Sequence, residues 1–238
     1  MRDDTGRRAH APGRTARLRP AIAGLVLVWA AAPAAGQDAD PAVRPDRTAN
    51  GTWTIGGVSA PIAGDAGTVS VYLGHLGGLD SRFAFVEGQA TVAPRTSLLV
   101  GYGYVLSEAA GGRDARAHLA RVGVSAAHAF GPVDLDARLT GELLVRETGE
   151  NTKRGRLRLR ATVPVPGVAS RLRPRLFVAD ELFVEEDRGL SRNRVNAGVR
   201  TTLSPLDLDL YWLREDRDDG SAVDAFVVQA VFKVGANP

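Results

Sequence analysis

Charged and apolar residues alternate with a period of two along much of the chain. In the segment 156–161 each arginine is followed by leucine or alanine, and the segments 133–139 and 171–176 repeat this alternation. Because successive side chains of a β-strand point to opposite faces, each segment would have one apolar and one charged face. The pattern therefore predicts two-faced β-strands.

Eleven such strands are predicted, separated by turn signals. They are 52–62, 66–76, 82–92, 96–107, 117–130, 132–147, 154–164, 171–185, 192–203, 206–216 and 222–234. The shorter connections lie at 93–95, 131–132, 166–170 and 204–205, and the longer polar ones at 108–116, 147–153, 186–191 and 216–221. Short turns at one end and longer loops at the other are typical of bacterial outer-membrane barrels, whose short turns face the periplasm.

The predicted fold is an all-β, antiparallel, transmembrane up-and-down β-barrel. Most strands reach the roughly 9–11 residues that a tilted membrane-spanning strand needs. Single-chain barrels usually have an even number of strands. We therefore expect ten strands, if 52–62 does not span, or twelve, if the residues before it supply one more. A soluble barrel or sandwich would show the same alternation in any single strand.

The N-terminal residues have the composition of a secretory signal. Six arginines precede an apolar run at 21–32, and small residues follow it up to Gly36. A run of this length is too short for a spanning helix and is typical of a cleaved signal. We interpret 1–36 as a signal peptide, 37–50 as a flexible polar leader and 51–238 as a single β-barrel domain. The predicted location is the outer membrane of a Gram-negative bacterium.

The charge balance changes when the signal is set aside. The whole chain carries 30 basic and 27 acidic residues; six Arg and two Asp fall within the first 36, which leaves 24 basic and 25 acidic residues. A nearly neutral mature chain argues against nucleic acid as a partner, because that binding needs a net basic surface. The absence of cysteine excludes disulfides, thiol catalysis and a lipoprotein anchor.

One face of the predicted strands carries charges of both signs, and we expect it to line the barrel interior. The predicted charge ladder of the lumen consists of Asp134, Asp136, Arg138, Glu142, Arg156, Arg158, Arg160, Arg171, Arg173, Arg175, Glu181, Arg194, Arg200, Asp207 and Asp209. Neighbouring strands would set acid beside base, so the interior is expected to be nearly balanced in charge. The ladder would either fill and rigidify a narrow interior or line a pore for anionic solutes.

The opposite face of the strands is expected to contact lipid. It is apolar at alternate positions of 133–145 and 226–234, and less regularly so in 52–92. His118, Asp180 and Asn193 interrupt this face and would be tolerated only near the membrane rims. The predicted aromatic belt at the membrane interfaces consists of Tyr102, Tyr104, Tyr211, Trp212, Phe226 and Phe232.

Several short motifs follow one another in an order that resembles a known family of barrels. They are Trp53, Ser97-Leu98-Leu99-Val100-Gly101-Tyr102-Gly103-Tyr104, Arg156-Leu157-Arg158-Leu159-Arg160, Glu181-Leu182-Phe183 and Asn193-Arg194-Val195-Asn196-Ala197-Gly198. From about Thr52 to Val234 the chain resembles the outer-membrane barrels called domain of unknown function 2490. The resemblance implies an outer-membrane location and a barrel fold, and no particular chemistry.

An enzymatic role would require a nucleophile beside a base. Some outer-membrane lipid hydrolases carry a Ser–His pair on the lipid-facing wall. Here His118 and His128 share the outward face, whereas Ser125 falls on the opposite face and His75 has no evident partner. An enzyme is therefore not favoured, and no catalytic residue, cofactor or metal site is predicted.

We therefore expect an outer-membrane barrel with either a structural role or a narrow pore for small, anionic solutes. Two alternatives stay open, an outer-membrane lipid-modifying hydrolase and a soluble periplasmic barrel that binds a ligand. The expected partners are outer-membrane lipid and the outer-membrane barrel assembly machinery, without nucleic acid. The sequence does not identify a solute.

Overall fold

The structure, a computed structural model, describes residues 48–62, 66–109, 113–165, 167 and 172–235. The side chains of residues 108, 109, 113 and 114 lie outside that description. The predicted signal peptide, most of the predicted leader and Arg171 also lie outside the described residues. Within the described part, no helix is long and apolar enough to cross a membrane.

The described residues form the predicted strands in the predicted order. The strands are β1 (Thr48–Ile62), β2 (Gly67–Leu76), β3 (Ser81–Ala93), β4 (Thr96–Ala109), β5 (Arg113–Phe130), β6 (Val133–Arg146), β7 (Thr152–Pro164), β8 (Arg175–Glu185), β9 (Gly189–Leu203), β10 (Leu206–Arg217) and β11 (Ala222–Lys233). No end shifts by more than about four residues from its predicted place. The first strand begins inside the segment interpreted as a leader.

The strands close into one barrel in the order β1–β11–β10–β9–β8–β7–β6–β5–β4–β3–β2. Neighbours are antiparallel, except that β1 runs parallel to β11, with Thr48 opposite Ala222 and Ser59 opposite Lys233. The all-β barrel of about 10–12 strands is confirmed, and its eleven strands fall between the ten and the twelve that an even number would require. An odd number of strands in up-and-down order can close only if the first and last are parallel, and the β1–β11 pairing supplies that closure.

The two ends of the barrel differ in their connections. At one end, here called the turn side, β3–β4, β5–β6 and β9–β10 are joined by two residues each. At the other end, the loop side, the connections have three to five residues, because the strands extend into the predicted loops. The exceptions on the turn side are the four-residue connection 63–66 and the longer connection 165–174. Pro174 lies at its end and cannot donate to a ladder, so β8 starts only after it.

The outer face of the barrel is apolar around its whole circumference. Every strand contributes at least two large apolar side chains that are exposed on this face, among them Val58, Leu73, Val100, Leu139 and Phe226. The strands β1–β3, whose outer face was expected to be less apolar, follow the same rule. A belt of this kind is what contact with lipid requires.

Asp180 interrupts this outer face at an unexpected height. It is the sixth of the eleven residues of β8 and therefore lies at mid-strand. Its outward neighbours include Leu159 on β7 and Val195 on β9. The expectation that polar outward residues stay near the rims therefore does not hold for Asp180.

The inner face of the barrel is apolar where the first and last strands meet. Trp53, Leu213, Val223, Ala225 and Val227 form a buried cluster across β1, β10 and β11, and none is more than 4% exposed. Removing these side chains from water stabilises the parallel closure by the hydrophobic effect. We call this cluster the closing seam. The remaining inner wall is where the charges lie.

Candidate functional site

The structure places most of the predicted charge ladder on the inner wall. Eleven of its residues line a central cavity: Asp134, Asp136, Arg138, Arg156, Arg158, Arg160, Arg175, Glu181, Arg194, Arg200 and Asp209. Glu142 is buried on the same face of β6. Asp207 shares the inward face of Asp209 on β10 and pairs with Lys233 at 2.7 Å. The two-residue period thus located an interior wall.

One predicted ladder residue among the described residues, Arg173, does not lie in this wall. Arg173 is exposed in the connection before β8 and has a positive φ of 41°. The reason is Pro174, which lacks the N–H that a continuing strand would need. Arg171 lies outside the described residues.

Besides Lys233, the partner of Asp207, the sequence argument missed six charged residues of the inner wall. They are Glu87, Arg121, Arg154, Arg192, Glu215 and Arg217. The last four have the same parity as a predicted ladder residue on their own strand, so the two-residue period could have found them. Glu87 and Arg121 are the lone inward charges described on β3 and β5, and no pattern marks them.

The loop-side half of β6–β10 holds a dense ion-pair network. We call it the loop-side cluster and define it as Glu142, Glu181, Glu215, Arg154, Arg156, Arg192, Arg194 and Arg217. Glu215 is 1% exposed and accepts hydrogen bonds from Arg194 Nε at 3.1 Å and Arg217 Nε at 2.8 Å. Glu181 accepts from Arg156 at 2.7 Å and from Arg194 at 3.4 Å. Each buried carboxylate therefore meets at least two arginines, which offsets its loss of hydration.

Phe183 lies at the centre of the loop-side cluster and is 1% exposed. The guanidinium carbons of four arginines lie 5.1–5.2 Å from its ring centroid: Arg154, Arg156, Arg192 and Arg194. Aromatic rings attract cations at such distances. The ring and its four arginines thus cover the inner face of these strands in their loop-side half. Neither Phe183 nor Glu215 lines the cavity.

The turn-side half of the same strands holds a looser set of charges. We call it the turn-side cluster and define it as Asp134, Asp136, Asp209, Arg138, Arg158, Arg160, Arg175 and Arg200. Arg200 donates from Nε and Nη2 to the two oxygens of Asp209 at 2.7 and 2.6 Å. Arg158 donates to Asp136 at 2.5 Å. The side chains of Asp134 and Asp136 stay 50% and 35% exposed, so this half is open to solvent.

The glycines of β4 make room for an aromatic ring inside the barrel. Gly101 and Gly103 face inward, and the ring of Phe85 lies so close to both that a Cβ at either position would overlap it. Arg121 stacks on this ring, with Cζ 4.0 Å from the centroid, and pairs with Glu87. The Gly-Tyr-Gly-Tyr segment therefore helps to position an arginine on the lumen wall.

The inner wall encloses a cavity of about 880 Å³. Nine arginines and five carboxylates line it. It runs along the inner face of β2–β5 and the turn-side half of β6–β10, touches the loop-side cluster at Arg156, Glu181 and Arg194, and reaches the closing seam at Trp53 and Leu213. The expectation of a nearly balanced interior is therefore wrong for the cavity lining, in which arginine is in excess.

The predicted aromatic belt is mostly on the outer face. Five of its six residues point outward: Tyr102, Tyr104, Trp212, Phe226 and Phe232. Tyr211 instead lines the cavity and meets Phe177 edge-on, with 5.6 Å between ring centroids. Because neighbouring residues of a strand face opposite ways, Tyr211 and Trp212 cannot both belong to the belt.

The outward histidines do not form the Ser–His pair of a wall-based hydrolase. His118 Nδ1 lies 2.6 Å from the hydroxyl of Tyr102, and His128 contacts the ring of Phe130. In the described part of the chain no hydrogen bond joins a histidine to a serine, and Ser125 is buried on the inner face. Nor do the described residues include a group of three or more acidic or histidine side chains that could hold a metal ion.

No protein-family model matches the chain, and no curated protein sequence matches it. Solved structures that are similar to it include LpxR from Salmonella typhimurium, with a TM-score of 0.46 and 11% identity over 71% of this chain and 83% of that one. Another is the anion-selective porin from Comamonas acidovorans, with a TM-score of 0.37 and 16% identity. That match covers 69% of this chain and 53% of the porin, so this chain spans about half the porin's length. The resemblance to the domain of unknown function 2490 stays a prediction.

Proposed function

We propose that the chain forms an outer-membrane β-barrel whose lumen admits small anions. The observation that carries this proposal is the cavity of about 880 Å³, in which nine arginines face five carboxylates. Excess positive charge in a confined space with low-dielectric walls attracts anions and repels cations. The solute class, small anions, follows from this charge excess.

The proposed membrane location is supported by the outer face. Large apolar side chains are exposed on all eleven strands, whereas soluble monomers rarely expose contiguous apolar patches above a few hundred Å². A soluble periplasmic barrel that binds a ligand is therefore less well supported. In the outer membrane the barrel would contact lipid on all sides and would depend on the barrel assembly machinery for insertion.

A structural role is the second candidate, and the loop-side cluster favours it. Phe183 and its four surrounding arginines fill that part of the lumen. Such packing rigidifies a small barrel and would narrow or block a path through it. A lipid-modifying hydrolase has less support, because His118 pairs with Tyr102 and not with a serine.

The proposed location can be tested by fractionation and by heat-dependent gel mobility. The full chain, expressed with its own signal, should enter the outer-membrane fraction and migrate as a compact band unless it is boiled. A protein found in the soluble periplasm without a heat-dependent band would contradict the membrane proposal.

The proposed anion passage can be tested with purified protein in a planar bilayer. A salt gradient of KCl should give a reversal potential that favours chloride over potassium. Arg160→Gln, which removes one cavity charge, should reduce that preference, whereas Arg214→Gln, on the outer face near the loop side, should leave it unchanged. A folded barrel without conductance would support the structural role instead.

A further inference from the structure

Three arginines of the turn-side cluster lie next to one another on the cavity wall. Arg138 on β6 is directly opposite Arg158 on β7 in the strand register, and Arg160 follows on the same face two residues later. All three line the cavity. Like charges at directly opposed positions of a sheet repel each other and destabilise it, so this arrangement needs a source of negative charge.

The carboxylates nearest to two of these arginines are already used by other arginines. Asp209 gives both oxygens to Arg200 at 2.7 and 2.6 Å, and Arg160 reaches it only at 3.5 Å. Charge-assisted hydrogen bonds of arginine are normally about 2.7–2.9 Å long. Arg160 is thus a distant second partner of an occupied carboxylate.

Arg138, like Arg160, reaches only a carboxylate that is already paired with a closer arginine. Its Nη1 lies 3.3 and 3.4 Å from the two oxygens of Glu87, which already forms a closer pair with Arg121. Arg158 has one good partner, Asp136 at 2.5 Å, whose side chain is 35% exposed. The three guanidinium groups are therefore only partly neutralised.

The hydrogen-bond donors of these arginines are also incompletely paired. Among the described residues, the buried Nε atoms of Arg138, Arg158 and Arg160 have no hydrogen-bond partner. Arg160 is also held against the ring of Phe177, with Cζ 3.8 Å from the centroid. A stacked guanidinium keeps its orientation, so less entropy is lost when its planar edge binds an oxyanion.

We infer that Arg138, Arg158 and Arg160 form a binding site for a small oxyanion, a carboxylate or a phosphate, inside the turn-side half of the lumen. Planar guanidinium groups match both ligands through paired hydrogen bonds. The inference rests on the proposed function only in that an anion must be able to enter the lumen. Beyond the proposed passage of anions, it assigns three arginines as the place in the lumen where an anion binds.

The loop-side cluster does not offer a comparable site. Its three carboxylates are at most 7% exposed and each already contacts two or more arginines. Arg194 there donates to both Glu181 and Glu215. An added anion would have to displace these carboxylates, and the cavity does not extend to Glu215.

The site can be tested by titrating purified, detergent-solubilised barrel with inorganic phosphate and, separately, with acetate. Chloride keeps the ionic strength constant, and calorimetry or the rise of the unfolding temperature reports binding. We expect saturable binding of at least one of the two anions, and the two titrations distinguish phosphate from carboxylate recognition. Absence of saturation with both anions would overturn the site.

Matched variants locate the binding. Arg160→Gln should weaken the affinity about tenfold or more, as expected for a lost charge-assisted hydrogen bond, while Arg160→Lys should restore only part of it. Arg160→Gln should still fold, because Arg200 keeps Asp209 neutralised, and its heat-dependent gel band checks this. Arg214→Gln should bind like the unmodified chain. Equal weakening by Arg160→Gln and Arg214→Gln would mean unspecific screening and overturn the site.

This test separates the site from the proposed passage. Saturable binding in a barrel that does not conduct would support the site and contradict passage. Conductance that favours chloride, together with no saturable binding, would support passage and overturn the site.

Discussion

The loop-side and turn-side clusters contain the same residue types but differ in how deeply these residues are buried and how they are paired. In the loop-side cluster, buried glutamates each meet two or more arginines around Phe183, and the cavity reaches only the edge of the cluster, at Arg156, Glu181 and Arg194. In the turn-side cluster, Asp134 and Asp136 are 50% and 35% exposed and pair with one arginine each, and arginines without a close carboxylate face a cavity. The alternation of arginine and leucine therefore determines which face of the strand a side chain is on, but not what that side chain does there. The role depends on how many acceptors each arginine finds.

The largest expected effect is the loss of a carboxylate in the loop-side cluster. Glu215→Gln removes the negative charge that Arg194 and Arg217 share in a site that is 1% exposed. Leaving buried charges without their partner typically lowers the free energy of unfolding by about 3–5 kcal/mol. Urea unfolding of the barrel in lipid vesicles would measure it.

The matched control lies in the turn-side cluster. Asp134→Asn removes the partner of Arg175, but the two side chains are 50% and 36% exposed. Exposed pairs are typically worth less than about 1 kcal/mol. If both variants lost the same stability, the distinction between the two clusters would be wrong.

The next effect compares the two faces of one strand. Arg158→Glu would set a third carboxylate beside Asp136 and Glu181 and should lower the free energy of unfolding by about 2 kcal/mol or more. Leu157→Val changes an outward side chain and should cost roughly 0.5 kcal/mol. The same urea titration measures both variants. Equal tolerance of the two changes would show that the inward charges are not paired.

The sequence predicts the strands well because the two-residue period is a local property. The strand β6 was predicted at 132–147 and runs from Val133 to Arg146, with alternate residues on the predicted faces. The closure could not be predicted in this way. Which strand is the partner of β1 depends on the curvature and fit of the whole sheet, here on the packing of Trp53 against Val227.

From the sequence, the site could be predicted only as a charged inner face of the barrel. Alternation identified Arg158 and Arg160 as inward, but their pairings reach across several strands, as Arg160 to Asp209 does. Lone inward charges such as Glu87 belong to no sequence pattern. The aromatic rings inside the barrel also depart from the simple rule that inward residues are polar and outward residues are apolar. Phe183 is inside because its ring attracts the surrounding guanidinium groups.

A smaller effect tests redundancy within the turn-side cluster. Arg160→Gln should lower the free energy of unfolding by less than about 1 kcal/mol, because its 3.5 Å contact with Asp209 is longer than a normal hydrogen bond and Arg200 alone satisfies Asp209. Arg200→Gln should cost at least about 1.5 kcal/mol, since it removes two charge-assisted hydrogen bonds from a carboxylate that is 4% exposed. Urea unfolding of both variants gives the comparison, and a reversed order would mean that Arg160 is the main partner of Asp209.

The smallest effect is the salt dependence of the two clusters. Raising the ionic strength from about 0.1 M to about 1 M shortens the Debye length from roughly 10 Å to roughly 3 Å and screens exposed pairs far more than buried ones. The small stability loss of Asp134→Asn should therefore vanish in high salt, since its pair with Arg175 is half exposed. The loss of Glu215→Gln should persist, because the side chain of Glu215 is itself only 1% exposed inside the loop-side cluster. Urea unfolding at the two salt concentrations measures both. A loss for Glu215→Gln that also vanished in high salt would show that the loop-side cluster is hydrated, and the contrast between the two halves of the wall would fail.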